Sequence, residues 1–229
     1  GGGLLHRGGA HRAPAGLMDE RVVGVVVPNY DGWPLLEECL ATLLAAPLPG
    51  HRLDVVVVDN ASSDGSREKL AAAWPGVRLI ANAANRGFTP AINQGVAATG
   101  GEWVLLLNND VALPPAALAR LLAVAEAGPA ELGGVQPLLV QAGRPGQNDS
   151  AAIGVRSRFR THDILMGQPV ERAPREVTEI WGACAGCVLV RRRALEEAGG
   201  FDEQFFVELD DVDFAFRARW LGYHFLLLP

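Results

Sequence analysis

Three apolar segments of the sequence end in side chains that can bind an oxygen-rich ligand. They are VVGVVVPNY at residues 22–30, VVVVDN at residues 55–60 and EWVLLLNND at residues 102–110. In an open α/β sheet the ligand crevice lies beyond the carboxyl ends of the strands, so Asn29, Asp59 and Asp110 are expected at one edge of a sheet. There Asp59 and Asn60 could hold a nucleotide by its base or ribose. An Asx turn that caps the next helix explains Asp59 and Asn60 equally well at this point.

A second candidate group lies near the end of the chain, in GGFDEQFFVELDDVD at residues 199–213. Asp210 and Asp211 are adjacent, and repulsion between like charges raises the proton affinity of one of them, which suits a general base. The dipole of the helix that follows favours the charged form instead. Repulsion dominates only if the pair is partly desolvated, for instance by the two phenylalanines that precede it. Asp213 is explained at least as well by its position at the start of the helix.

These candidates require strands and helices that alternate along the chain, and the sequence predicts that alternation. Helices are predicted between Pro34 and Pro47, near residues 66–73, and from Thr89 to Gly100, with a short strand at residues 77–81. The resulting βαβαβαβ order predicts an α/β fold with a Rossmann-like, mainly parallel sheet and helices on both faces. Residues 141–180 are rich in Gly, Pro, Arg and Gln. They are expected to form loops and irregular strands over the ligand-facing edge.

Length and composition indicate one domain without a nucleic-acid partner. The chain has 229 residues, of which 49% are hydrophobic and 20% charged, enough for one large core. A formal net charge of -6 disfavours a phosphate-backbone binder, because no face dense in Lys or Arg is evident. The basic run at residues 191–193 is interpreted as a solvated or acceptor-facing rim. Residues 1–20 are interpreted as a disordered leader. No apolar run reaches the roughly 18 to 20 residues that span a bilayer, so membrane contact is at most peripheral.

The cysteines and the glycine pattern exclude several other classes of site. Three cysteines make a disulfide framework impossible and suggest a reduced, cytoplasmic protein. Cys184 and Cys187 have C-x-x-C spacing, but without a second pair, packing is favoured over zinc or redox chemistry. The first strand runs into PNYDGWP, so the dinucleotide fingerprint is missing, and a Walker A loop is missing too. A divalent cation is the remaining way to hold a diphosphate, and it requires carboxylates at strand ends.

Six segments, in order and spacing, resemble the family 2 glycosyltransferases of the GT-A fold, in particular the branch that contains rhamnosyltransferases. They are VVVPNYDG, VVVVDNASSDGS, NRGFTPAINQGV, WVLLLNNDV, GACAGCVLVRR and GGFDEQFFVELDDVDFAFRARWLGY, and the resemblance covers residues 21–229. It implies inverting transfer of a sugar from a dTDP- or UDP-linked donor to a hydroxyl group, with Mg2+ or Mn2+ on the diphosphate. The acceptor implied is a saccharide or lipid-linked saccharide of the cell surface. Rhamnose is the favoured sugar, with galactofuranose, galactose and N-acetylglucosamine as alternatives.

The resemblance also implies roles for individual residues. The donor-binding residues would be Pro28, Asn29, Tyr30, Asp59, Asn60, Asn85, Gly87, Phe88, Asn93, Asn108 and Asn109. Gly87 could instead serve a turn, and Asn93 could be a polar group inside a helix. The family's D-x-D metal motif has become Asn108, Asn109 and Asp110 in this chain, so Asp110 would be the metal ligand.

In the acidic motif, Asp211 would be the base and Asp210 its neighbour. Family members carry a further histidine ligand shortly beyond the position of Pro229, which suggests a truncated enzyme, and His224 is interpreted as structural. A noncatalytic nucleotide-sugar-binding or scaffold domain of the same fold is the alternative, because the metal motif is eroded. A sugar-nucleotide pyrophosphorylase would need a glycine-rich loop and basic residues after the first strand, which PNYDGW does not provide.

Overall fold

The structure of the protein is a computed structural model that describes residues 20–156, 160–206 and 209–229. The described strands are β1 (Arg21–Asn29), β2 (His51–Asp59), β3 (Arg78–Ala81), β4 (Trp103–Leu107), β5 (Leu132–Pro137), β6 (Leu139–Gln141), β7 (Arg144–Ser150), β8 (Ile153–Val155), β9 (Thr161–Asp163), β10 (Thr178–Ile180), β11 (Cys187–Arg191) and β12 (His224–Leu228). The described helices are α1 (Trp33–Leu43), α2 (Ser66–Ala73), α3 (Phe88–Ala98), α4 (Pro115–Ala127), α5 (Arg192–Glu197) and α6 (Asp210–Trp220). The expected leader lies outside the described residues apart from Glu20.

An eight-stranded sheet forms the centre of the molecule, in the order β10-β12-β5-β11-β4-β1-β2-β3. Strands β1 to β4 run parallel to one another, as do β5 and β12. Strand β11 is antiparallel between β4 and β5, and β10 is an antiparallel edge strand beside β12. The predicted α/β fold with a mainly parallel sheet is therefore confirmed. Asn29 lies opposite Asp59 in the parallel register of β1 and β2.

Both faces of the sheet are covered, as the alternating pattern predicts. On one face Leu36 and Leu40 of α1 and Leu118 of α4 pack against the side chains of β1, β2 and β4 that point to that face. On the other face Ile92 of α3 and Phe214 of α6 pack against the alternate residues of the same strands. Because successive strand side chains point to opposite faces, one run of valines and leucines contributes to both cores. Each fully buried Leu or Ile contributes about 1.5–3 kcal/mol of transfer free energy.

Residues 138–156 and 160–177 form small hairpins and loops beside the carboxyl edge of the sheet. Strands β6 and β7 pair with each other, and β8 pairs with β9. Residues of the β6–β7 hairpin share a cleft with Asp110, which follows β4. The prediction of irregular strands at the ligand-facing edge is confirmed.

The basic run at residues 191–193 does not face that edge. Of the two expectations, the acceptor-facing rim is wrong, and the solvated rim holds for Arg193, whose side chain is 67% exposed. The Arg191 guanidinium lies 4.4 Å from the ring centroid of Trp103, which begins β4 at the opposite edge. Arg192 donates hydrogen bonds to the carbonyl oxygens of Gly100 and Gly101, at 3.0 and 2.6 Å. These cations fasten the loop before β4 to α5. They serve the scaffold.

Candidate active site

A cleft of about 320 Å³ opens where β1, β2 and β4 end, and we call it the donor cleft. Polar side chains reach it because parallel strands present their carboxyl ends at the same edge. Its lining residues are Pro28, Asn29, Tyr30, Asn60, Asn85, Gly87, Phe88, Asn108, Asn109 and Phe206. Nine of the eleven residues proposed for donor binding therefore meet in one cleft, and Asp59 and Asn93 are not among its lining residues.

The start of α3 forms one wall of the donor cleft. Gly87 precedes the helix with φ +92, a left-handed conformation that favours glycine. Its N–H donates to Asn85 Oδ1 at 2.9 Å, and its carbonyl oxygen accepts from Asn60 Nδ2 at 2.9 Å. A Cβ atom at Gly87 would lie 2.8 Å from the carbonyl oxygen of Phe206. The turn therefore needs glycine both for its φ angle and for this close approach.

Phe206 is a cleft residue that the sequence did not predict. Phe206 is 58% exposed, and its ring lies against Gly87, more than a hundred residues away in the chain. Its carbonyl oxygen accepts a hydrogen bond from Phe88 N at 2.9 Å, and that of Phe205 accepts from Thr89 Oγ at 2.5 Å. The first turn of α3 has unpaired N–H groups, and Phe206 satisfies one of them. This contact brings the segment before the acidic motif to the donor cleft.

Asn93 fixes the same C-terminal segment from further along α3. Its Nδ2 donates to the carbonyl oxygen of Phe201 at 2.8 Å, and its Oδ1 accepts from Phe201 N at 3.0 Å. An amide side chain that uses its donor and acceptor on one backbone residue acts as a clamp. Asn93 thus has a positioning role in this structure, away from the donor cleft.

Asp59 lies behind the donor cleft, with 1% of its surface exposed. Its carboxylate accepts hydrogen bonds from Arg67 Nε at 2.5 Å, Ser62 N at 3.0 Å and Asn29 Nδ2 at 3.1 Å. Burial raises the pKa of Asp59, but the hydrogen bonds from Ser62, Arg67 and Asn29 outweigh burial and leave the pKa below its usual value. Asp59 is therefore a buried anion whose hydrogen bonds are all made within the protein. It contacts Asn29, which lines the cleft.

Asp110 is exposed and lines a larger cleft of about 740 Å³, and it is not among the lining residues of the donor cleft. Asp110 and Asp149 both line the larger cleft. Burial is the largest cause of a raised pKa at Asp149, and the charges of Asp163 and Asp110 add to it. The carboxylates of β7, β9 and the loop after β4 therefore lie within electrostatic reach of one another.

The pKa of Asp211 is raised above its ordinary value. Burial is the main cause that raises its pKa to about 6, and the charge of Asp210 is the second. Backbone N–H groups of Ala185 and Val212 donate to the carboxylate at 3.3 and 2.8 Å, which offsets part of the rise. The repulsion inferred from the adjacent aspartates is present, but desolvation is the larger effect.

The other two aspartates of α6 differ from Asp211. Asp210 is 5% exposed, its pKa is raised by burial, and its Oδ2 has no hydrogen-bond partner among the described residues. Asp213 accepts from Arg217 Nη2 at 2.6 Å, one turn further along the helix. That ion pair and the position in the first helical turn give Asp213 a structural role.

The cysteines lie in the scaffold around the site. Cys39, Cys184 and Cys187 are free thiols, and burial raises the pKa of Cys39 and of Cys184 to about 12. Such thiols stay protonated near neutral pH and are poor nucleophiles and poor metal ligands. Cys39 Sγ lies 3.6 Å from the carbonyl oxygen of Asn108, so α1 supports the metal motif through this contact.

Comparison with known proteins identifies the family. The model of the family described as Glycosyl transferase family 2 matches residues 24–199. The chain belongs to glycosyl transferase family 2. It is 30% identical over 229 residues to an N-acetylglucosaminyl-diphospho-decaprenol L-rhamnosyltransferase of Mycobacterium tuberculosis, covering 88% of this chain and 72% of that protein. It is also 31% identical over 214 residues to an O-antigen biosynthesis protein of Myxococcus xanthus, covering 87% of this chain and 16% of that protein.

Solved structures of glycosyltransferases share the fold of this family 2 transferase. A mannosyltransferase from Pyrobaculum calidifontis in complex with GDP-Man and Mn2+ matches with a TM-score of 0.61 and 25% identity, over 91% of this chain and 55% of that chain. GalNAc-T7 with UDP, GalNAc and Mn2+ matches with a TM-score of 0.73 and 15% identity, over 92% of this chain and 43% of that chain. The expected GT-A fold is confirmed. The transferase spans about half the length of these solved chains.

The oxygen atoms of Asp110 and Asn108 are suitable ligands for a hard divalent cation. Within the described residues, no cluster of three or more His, Cys, Asp and Glu side chains could hold a metal unaided. Asn108 Oδ1 is buried without a hydrogen-bond partner in the described part of the chain, two residues from the Asp110 carboxylate. Mg2+ and Mn2+ favour oxygen ligands, and Mg2+ often takes one or two carboxylates with substrate phosphates and waters. The residues present therefore suit a cation whose remaining ligands come from a diphosphate.

No helix in the described ranges is long and apolar enough to cross a membrane. His224, at the start of β12, donates its backbone N–H to the carbonyl oxygen of Glu131 at 3.0 Å. Its place in the sheet agrees with the structural role expected from the sequence.

Proposed function

We propose that the transferase moves rhamnose from dTDP-rhamnose to a hydroxyl group of a lipid-linked saccharide, with inversion at the anomeric carbon. The observation that carries this proposal is a pair of backbone contacts made by neighbouring residues. Ala185 N donates to Asp211 at 3.3 Å, and the carbonyl oxygen of Gly186 accepts from Asn108 N at 2.8 Å. The loop at residues 185–186 thus holds the general-base candidate beside the metal motif. Inversion requires the base on the face of the anomeric carbon opposite the departing diphosphate, and a base held at a fixed distance from the metal motif can act across the sugar from it.

The donor cleft supplies the binding site for the nucleotide and sugar. Pro28 and Tyr30 offer apolar surface for a base, and the exposed Asn85 offers a polar group for the ribose or sugar. Asn60 supports this wall of the cleft through its hydrogen bond to Gly87, and Asp59 acts indirectly by orienting Asn29. The choice of rhamnose rests on the named activity of the Mycobacterium tuberculosis relative, which covers most of this chain.

The reaction proposed is a single displacement. Asp211 accepts the proton of the acceptor hydroxyl as its oxygen forms a bond to the anomeric carbon. The bond from that carbon to the diphosphate oxygen breaks, and its electron pair leaves with the nucleoside diphosphate. Asp110, with Asn108 nearby, would hold a divalent cation, which would offset the negative charge of the departing diphosphate. A pKa of about 6 leaves Asp211 mostly ionised at neutral pH while it keeps useful basicity.

The lipid-linked acceptor is proposed from the names of relatives. One is the N-acetylglucosaminyl-diphospho-decaprenol L-rhamnosyltransferase named above. Others are undecaprenyl-phosphate 4-deoxy-4-formamido-L-arabinose transferases, such as that of Edwardsiella ictaluri. We propose that the transferase meets this acceptor at the cytoplasmic face of a membrane through peripheral contact.

Slow hydrolysis of nucleotide sugars tests the donor assignment, because hydrolysis needs no acceptor. The protein is incubated with dTDP-rhamnose, UDP-galactose, UDP-galactofuranose and UDP-N-acetylglucosamine, with Mn2+ or with a chelator. We expect release of dTDP from dTDP-rhamnose that depends on Mn2+. Binding of a nucleotide sugar without hydrolysis, and without transfer to a short-chain lipid-linked N-acetylglucosamine, would instead support the noncatalytic alternative.

A further inference from the structure

A chain of hydrogen bonds runs from the buried Asp59 to the metal motif. Asp59 Oδ2 accepts from Asn29 Nδ2 at 3.1 Å, and Asn29 Oδ1 accepts from Asn109 Nδ2 at 2.8 Å. Ser62 Oγ takes a second hydrogen bond from Asn29 Nδ2, at 3.2 Å. The chain links the ends of β2, β1 and β4, and we call it the amide relay. It consists of Asp59, Asn29 and Asn109.

The chemistry of these groups fixes the direction of each amide. An ionised carboxylate only accepts hydrogen bonds, so Asn29 must turn its NH2 group towards Asp59 and its oxygen towards Asn109. Asp59 stays ionised because its hydrogen bonds hold its pKa below the usual value. Asn109 must then direct its own NH2 group at Asn29. Asn109 Oδ1 accepts no hydrogen bond from the described residues, and Asn109 lines the donor cleft.

Gly32 makes the last step of the relay possible. A Cβ atom at Gly32 would lie 2.4 Å from Asn109 Nδ2 and 3.1 Å from Asn29 Oδ1. The φ angle of Gly32 is -123, which any residue can adopt. A larger residue at this position would therefore have to displace the Asn109 amide, so the glycine leaves space for the relay.

We infer that the amide relay and Gly32 hold Asn109 with its carbonyl oxygen facing the donor cleft, where it accepts a hydrogen bond from a hydroxyl group of the donor sugar. Gly32 and Asn29 are positioning residues in this scheme, and Asp59 acts through them. The inference rests on the proposed function for the identity of the ligand. It explains how a motif with one carboxylate, Asp110, still presents a second oxygen acceptor, Asn109, to the donor cleft.

The test compares binding of dTDP and dTDP-rhamnose by calorimetry in Gly32→Ala, Asn109→Ala and the double variant. Gly76→Ala is the matched control, since a Cβ there meets nothing within 4 Å. One lost hydrogen bond predicts about three- to tenfold weaker binding of dTDP-rhamnose in all three variants, with dTDP within about twofold. The double variant should match Asn109→Ala, because the added methyl group then no longer displaces Asn109. Equal losses for both ligands would overturn the sugar contact.

A second measurement tests the relay without any ligand. Hydrogen exchange of the side-chain NH2 groups, followed by NMR, should show protection for Asn29 and Asn109 and faster exchange of Asn109 in Gly32→Ala. Exchange of Asn109 as fast as that of an exposed asparagine in the unsubstituted protein would refute the relay. An unsubstituted protein that binds neither dTDP nor dTDP-rhamnose would refute the proposed function and the sugar contact together. Unchanged variants of a protein that binds both would refute the inference alone.

Discussion

Asp211 accepts a hydrogen bond from the backbone N–H of Ala185 at 3.3 Å, which ties the start of α6 to the loop before β11. The next residue of that loop, Gly186, contacts Asn108 of the metal motif. Two motifs that are about a hundred residues apart in the chain are thereby held by one short loop. A base and a leaving-group site can keep a fixed relation only if such a connection exists.

Asp211→Asn should keep donor binding and lose transfer. A base that acts on the acceptor hydroxyl contributes to the transition state and little to donor affinity, so we expect transfer to fall roughly a hundredfold or more. Asp213→Asn is the matched control on the same helix turn, where loss of the Arg217 partner should cost about 0.5–1 kcal/mol of stability and leave turnover near normal. Transfer rates and calorimetry on both variants and on Asp210→Asn give the comparison. A dead Asp210→Asn beside an active Asp211→Asn would move the base by one residue.

The pKa of Asp211 makes a prediction about stability as well as activity. Its folded value of about 6 lies above the ordinary value of 3.8, so the folded state favours the neutral carboxyl. The stability that this group contributes is fully present below about pH 4 and is lost as pH rises to about 6. At pH 7, Asp211→Asn should therefore raise the free energy of unfolding, on the order of 1–3 kcal/mol. Urea unfolding at pH 5 and pH 7 measures this, and a variant less stable at pH 7 would contradict the burial argument.

Gly87→Ala should lower the stability of the protein and its affinity for dTDP, because the substitution displaces Phe206. The φ angle of +92 strains any other residue, and the new Cβ would lie 2.8 Å from the Phe206 carbonyl oxygen. We expect a loss of about 1–3 kcal/mol in stability and weaker dTDP binding. Gly76→Ala, in open space, should stay within about 0.5 kcal/mol of the unsubstituted protein. Thermal unfolding measures the stability and calorimetry measures dTDP binding. If the two variants behave alike, the contact between Gly87 and Phe206 does not support the donor cleft.

Asp110→Ala should abolish the dependence of donor binding on a divalent cation. It removes the only carboxylate of the metal motif and leaves the nucleoside end of the donor cleft unchanged. Calorimetry of dTDP binding with Mn2+ and with a chelator provides the measurement. Asp149→Ala is a suitable control, because Asp149 lines the larger cleft with Asp110 but lies on β7. Unchanged affinity and unchanged Mn2+ dependence in Asp110→Ala would show that the cation is held elsewhere.

The sequence predicted β1 to β4 and the strand-end residues of the donor cleft for one physical reason. Parallel strands end at one edge, so Asn29, Asn60 and Asn108 had to come close together once the alternating pattern was established. The same reasoning could not show that Asp59 turns inward to Arg67, because the burial of a carboxylate depends on the cation that packs beside it.

Contacts between distant segments were beyond the sequence pattern. Phe206 reaches the donor cleft, and Asn93 turns away from it, because the segment at residues 201–206 packs on α3 through backbone hydrogen bonds. Backbone groups carry no residue-specific signal. Gly32 gave a weak signal, because it lies between a strand and a helix. Its φ angle is not positive, so the space taken by the relay explains the glycine.

The pH dependence of transfer tests the central claim most directly. Transfer from dTDP-rhamnose to a short-chain lipid-linked N-acetylglucosamine is measured as kcat/KM between pH 4.5 and pH 8, with Mn2+ present. If Asp211 is the base, kcat/KM falls about tenfold per pH unit below about pH 6, the value to which burial raises the pKa of Asp211. In Asp211→Asn the residual rate should lose that limb. A limb at the same pH in Asp211→Asn, or full activity of the unsubstituted protein at pH 4.5, would contradict the account.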